Sequence, residues 1–92
     1  SGIGAYLVSQ GFIHRFEVFY WRERNDEVDF VIRKKNITIA IEVKSNAEKR
    51  TSGLDKFKEL FAPQAAFIVG DGGIGVEDFL SMDIRRLFQS SL

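Results

Sequence analysis

The stretch from Glu27 to Lys44 constrains the fold more than any other part of the chain. Val28, Phe30 and Ile32 alternate with Glu27, Asp29 and Arg33, and Ile37, Ile39, Ile41 and Val43 alternate with Thr38, Ala40, Glu42 and Lys44. A period of two over this length predicts two strands sharing one buried face. Lys34-Lys35-Asn36 separates them and reads as a tight turn, with Asn supplying the left-handed conformation such turns use. The apolar positions are even-numbered on the first strand and odd-numbered on the second, so paired residues must sum to an odd number. A two-residue turn at Lys35-Asn36 gives 71 and puts Asp29 directly opposite Glu42. A four-residue loop gives 69 and leaves Asp29 one diagonal step away.

The remaining segments build around this hairpin. Ile3–Gln10 reads as a short helix with Ile3, Leu7 and Val8 on one stripe and Gly11 as its stop. Phe16–Arg22 is aromatic and β-branched and reads as a strand, followed by a turn at Arg24-Asn25-Asp26. Ser52 is placed to cap a helix, with Asp55 three residues on; Leu54, Phe57, Leu60 and Phe61 form its stripe and Pro63 ends it. Ala65–Val69 reads as a buried strand. The order strand, helix, strand from Ile37 to Val69 predicts a right-handed parallel crossover. Two short helical pieces follow, near Val76–Leu80 and Asp83–Phe88. The fold class is therefore α/β, in the order α-β-β-β-α-β, with a mixed sheet flanked by helices.

Ninety-two residues fit one domain, here 1–92. No apolar run approaches the roughly 18 residues of a membrane helix. The absence of Cys excludes disulfides and thiolate chemistry and fits a reducing, cytoplasmic setting. Thirteen basic residues balance thirteen acidic ones, which argues against a protein that coats nucleic acid through bulk charge. The chain begins at Ser1 and its one Met is Met82, so it reads as a piece of a longer protein.

The polar face of the hairpin carries the chemistry. In either register Asp29 and Glu42 lie roughly 5–8 Å apart at Cβ, and Lys44 shares their face. Opposed like charges cost stability, and a hard cation between them removes that cost. Mg²⁺ or Mn²⁺ suits two carboxylates, and a neighbouring lysine suits activation of water and stabilisation of phosphate charge. The pattern points to metal-assisted phosphodiester hydrolysis. The same residues also fit a polar sheet face laced by salt bridges among Asp29, Glu42, Lys44 and Arg33.

Glu27-Val28-Asp29-Phe30-Val31 followed by Ile41-Glu42-Val43-Lys44-Ser45 resembles the PD-(D/E)XK nuclease superfamily. More closely, the chain resembles a C-terminal domain of unknown function carried by bacterial and archaeal AAA+-type ATPases. Ile3-Gly4-Ala5-Tyr6-Leu7, the run Tyr20–Phe30, Glu42-Val43-Lys44-Ser45, Ser52-Gly53-Leu54 and the glycine-rich Gly70–Gly75 carry that resemblance. It implies a restriction-endonuclease-like core, Asp29 and Glu42 as metal ligands, Lys44 as the catalytic lysine, DNA as substrate and an ATPase part of the same parent protein. A non-catalytic DNA-binding or regulatory module with the same fold is the alternative, and a homo-oligomer is allowed. In one respect the sequence departs from the nuclease pattern. Such folds add an acidic residue from the first helix, and Ile3–Gln10 has none; its expected place is just before Ser1. No G-x-x-x-x-G-K-[ST] occurs either.

Other signals are weaker. Gly70-Asp71-Gly72-Gly73-Ile74-Gly75 matches G-x-G-x-x-G, but too little chain follows for a dinucleotide fold, and a flexible turn is the better reading. Lys44, Lys49, Arg50, Lys56 and Lys58 form a basic run in which Lys49 and Arg50 suit phosphate contacts, although interleaved Glu48, Asp55 and Glu59 equally suit a solvated helix face. His14 has no partners for a catalytic triad. Trp21 and Phe19 suit either base stacking or a core.

Overall fold

The computed structural model describes residues 2–44 and 53–89. Its order is α1 (Gly2–His14), β1 (Glu17–Glu23), β2 (Asp26–Lys34), β3 (Ile37–Lys44), α2 (Leu54–Phe61), β4 (Ala65–Gly70), α3 (Val76–Ser81) and a 3-10 helix (Ile84–Phe88). The four strands lie in the order β1-β2-β3-β4. The first three pair antiparallel, and β4 joins β3 in parallel, so the sheet is mixed as predicted.

Helix α1 runs one turn past the expected stop. Gly11 lies inside it, because the helix ends instead on Arg15, whose backbone is left-handed (φ 65). The Phe16 N–H then donates to the Gly11 carbonyl at 3.0 Å, closing the last turn in the manner of a Schellman cap. A side chain at Gly11 would meet that returning Phe16 backbone at 2.8 Å, which is why a glycine stands there. The buried stripe is Ile3, Leu7 and Gly11; Val8, expected on it, is exposed.

The hairpin register is the one a two-residue turn dictates: Phe30 pairs with Ile41, Ile32 with Ile39 and Lys34 with Ile37. The left-handed residue in the turn is Lys35 (φ 57), not Asn36. Likewise the β1–β2 turn is Arg24-Asn25, with Arg24 left-handed (φ 59), and Asp26 is already in β2 opposite Glu23.

One irregularity changes the faces. Phe19 pairs with Val31 and Trp21 with Val28, so Tyr20 alone spans Asp29 and Phe30. The extra residue in β2 is a bulge, and it inverts the side-chain alternation beyond it. Val28 therefore does not share a face with Phe30 and Ile32, as a strict period of two would require. It packs with Val31, Ala40, Leu54 and Phe57 under α2. Phe30 packs instead with Ile32, Ile39, Ile41, Leu7, Phe79 and Ile84 under α1, α3 and the 3-10 helix. Both faces of the sheet are thus covered, and the face expected to be polar holds a second apolar cluster.

The α2 cluster is the smaller one. Trp21 contributes to it through edge-on contacts with Phe57 and Phe61, with ring centroids 5.4 and 6.0 Å away. Leu54 and Phe57 are buried, whereas Leu60 and Phe61 of the expected stripe are half exposed. The residue before α2 is Gly53, with no side-chain cap; the cap expected at Ser52 falls outside the described residues. Gly53 docks through its N–H on the Glu27 carbonyl at 3.0 Å, so the chain leaves β3 at Lys44 and returns onto β2 beside the bulge.

Candidate functional site

Asp29 is one of the two residues at the bulge, and Glu42 is the next residue of β3 beyond Ile41. The structure brings them together. Glu42 Oε1 accepts from the Asp29 N–H at 3.4 Å, and Asp29 Oδ2 accepts from the Val43 N–H at 2.9 Å. The bulge explains the second bond. With the local pleat broken, the Asp29 carboxylate reaches across to the β3 backbone and serves as a rung of the ladder. Both side chains are half-buried.

Lys44 lies two residues past Glu42 and shares its side of β3 by alternation. The last pair of the parallel ladder, Lys44 with Gly70, fixes its backbone, and its carbonyl accepts from the Asp71 N–H at 3.2 Å. Three predicted site residues thus sit at one end of the sheet, on strands held by both neighbours. The other two, Lys49 and Arg50, lie outside the described residues. Among the described residues, no group of three or more His, Cys, Asp and Glu side chains is placed to hold a metal.

The sequence did not mark the Tyr20–Glu27 pair beside this site. Tyr20, the residue facing the bulge, donates its hydroxyl to Glu27 Oε1. That bond to a carboxylate, with lesser help from burial and the Glu27 charge, holds the Tyr20 hydroxyl above the usual 10.0 of a phenol. Seven residues separate the two across a turn, and no motif flags that spacing.

The other candidates take structural places. The Gly70–Gly75 segment is a tight, hydrogen-bonded turn: the Gly70 N–H donates to the Ile74 carbonyl at 2.7 Å, and the Ile74 N–H donates to the Ile68 carbonyl at 2.9 Å. Phe19 lies under the Arg33 guanidinium, 5.2 Å from the ring centre, and Arg33 also pairs with Glu17 at 3.0 Å. Arg33 therefore does not join Asp29 and Glu42 in a salt-bridged face.

Among the described residues, no helix is long and apolar enough to cross a membrane. A comparison with curated proteins returned no match. The model of a domain of unknown function, DUF4143, matches residues 3–81, nearly all of the elements described above. With most of its length matched, the chain belongs to the DUF4143 family.

Proposed function

We propose that this domain is a metal-dependent, nuclease-like unit that hydrolyses phosphodiester bonds of DNA, attached to an AAA+-type ATPase in its parent protein. The observation that carries the reading is the contact of Asp29 with Glu42 at the end of the sheet where Lys44 also lies. Two carboxylates suffice to hold Mg²⁺ or Mn²⁺ when waters and substrate oxygens complete the shell. Asp29 Oδ1 accepts no hydrogen bond from the described residues, so Asp29 has an oxygen to offer while Oδ2 keeps its backbone bond. A bound divalent ion would supply Lewis-acid polarisation of the phosphate and an activated water. Asp29 and Glu42 would fix its position through strands that cannot shift independently. The Lys44 ammonium, carried on a backbone held by the Lys44–Gly70 pair, would stabilise negative charge on the phosphate oxygens. Lys49 and Arg50 would meet the flanking phosphates.

A second reading, a non-catalytic DNA-binding or regulatory module, draws on the Asp29–Val43 bond, which gives Asp29 a structural duty of its own. A Mn²⁺-dependent cleavage assay on DNA separates the two. In the nuclease reading, Asp29→Ala and Lys44→Ala each lower the cleavage rate by about a hundredfold or more. Cleavage unchanged by either substitution overturns the site assignment. DNA binding without cleavage establishes the module reading.

A further inference from the structure

The balanced net charge hides a polarity along the sheet. At the end holding the candidate site, among the described residues, Glu23, Asp26, Glu27, Asp29, Glu42 and Asp71 outnumber Arg22, Arg24 and Lys44. At the other end, Lys34 and Lys35 of the hairpin meet Arg85 of the 3-10 helix, where Asp83 pairs with Arg85 and Glu17 with Arg33. Lys34, Lys35 and Arg85 line a groove of about 320 Å³ together with Ile37, Phe88 and Gln89. Asp83 holds Arg85 by a two-point ion pair at 2.7 and 2.9 Å, which fixes one cation in place. Among the described residues, Lys34 and Lys35 have no ion-pair partner.

We infer that this groove is a binding surface for single-stranded nucleic acid, separate from the Asp29–Glu42 pair. Its composition selects the ligand. Uncompensated cations call for an anion, and beside them Phe88, a half-buried ring that packs on Phe16 with centroids 5.1 Å apart and leaves the rest of its surface on the groove, calls for a ligand that is also flat and apolar. A strand with unpaired bases combines both: phosphates meet Lys34 and Lys35 while a base covers the exposed part of Phe88. An acidic peptide satisfies the cations and leaves the ring uncovered. The groove lies on the face of α1 and the 3-10 helix, whereas Glu42 lies on the α2 face, and the eight residues from Ile37 to Lys44 put about 20 Å between the two ends. Binding at the groove is therefore independent of a divalent ion and of Asp29.

Fluorescence anisotropy of a labelled oligothymidylate of about a dozen nucleotides, in EDTA and across a salt series, tests this. The chain binds in EDTA. The double variant Lys34→Glu/Lys35→Asn loses at least about tenfold in affinity, and its log K–log salt slope falls by about 1.4, the value for two lost phosphate contacts on a single strand. Lys35→Asn, which suits the left-handed turn, weakens binding by about threefold. Phe88→Leu weakens it by about fivefold with an unchanged salt slope. Circular dichroism verifies that each variant is folded. Any of three results overturns the proposal: no binding in EDTA, wild-type affinity in the double variant, or equal or tighter binding of a polyglutamate peptide. Because the metal is absent throughout, failure here leaves the nuclease reading intact, and failure of the cleavage assay leaves this surface intact.

Discussion

From Phe30 to Lys34, β2 keeps step with β3, and Val31 to Arg33 keep step with β1 as well. From Asp26 to Asp29 the same strand has slipped by one residue against β1. In the first half every side chain goes where alternation sends it. In the second half Val28 has changed faces, Tyr20 spans two residues, and the Asp29 carboxylate has taken over a backbone hydrogen bond. The regular half anchors the larger core; the bulged half positions an acid. Strand pairing of ordinary quality supplies stability, and a single extra residue re-aims a functional group without giving up the sheet.

Substitutions in the two halves sharpen this contrast, and the largest effect belongs to the regular half. Ile32 is fully buried under α1 and α3, so Ile32→Ala costs about 2–5 kcal/mol in denaturant unfolding. A cost below about 1 kcal/mol would show that the larger cluster is not the anchor. At the bulge, Asp29→Ala leaves the Val43 N–H without its acceptor and costs about 1–3 kcal/mol, less whatever relief the lost repulsion from Glu42 provides. Asp29→Asn keeps an acceptor oxygen and stays within about 0.5 kcal/mol of the parent. If Asn destabilises as much as Ala, the charge rather than the hydrogen bond holds the bulge.

The smallest effect lies far from the bulge, at Asp83. The bond from the Arg85 side chain, then the one from its backbone, holds this carboxyl at about 2, below its ordinary 3.8. A carboxyl depressed on folding adds stability above its unfolded value and loses it as pH falls toward the folded one. The Asp83 contribution is thus present above about pH 4 and lost between pH 4 and 2. Asp83→Asn flattens the acid unfolding profile in that window, while Asp29→Asn leaves the Asp83 step in place. A profile unchanged by Asp83→Asn would mean that solvent screens the pair entirely.

The sequence made the regular half legible and the bulged half only partly so. Parity of the apolar positions was enough to bring Asp29 within one diagonal step of Glu42, because a buried face tolerates no one-residue slip against β3, and the two-residue turn makes them directly opposed. It was not enough to reveal the slip against β1. Val28, Phe30 and Ile32 look equally apolar whichever face each takes, and a sheet covered on both sides accepts an apolar residue on either. The α1 terminus was misjudged for a similar reason. Gly11 carries the mark of a helix stop, yet its role depends on Phe16 folding back over it, a contact no local pattern encodes. The groove at the hairpin was written in Lys34-Lys35 and Arg85, but fifty positions separate Lys35 from Arg85 and only the fold makes them neighbours.

The turn after β4 sets a limit on how this domain can diverge. A side chain at Gly70 would stand 1.9 Å from the Lys44 carbonyl oxygen, and one at Gly73 would stand 2.0 Å from the Ile68 carbonyl oxygen. In both places the obstacle is main chain. A crowding side chain can be trimmed by a second substitution elsewhere, but every amino acid brings the same carbonyl. No paired replacement restores room at either glycine, so these positions lie outside the reach of compensatory change. Relatives that lose them must alter the length of the turn, and with it the strand end that carries Lys44.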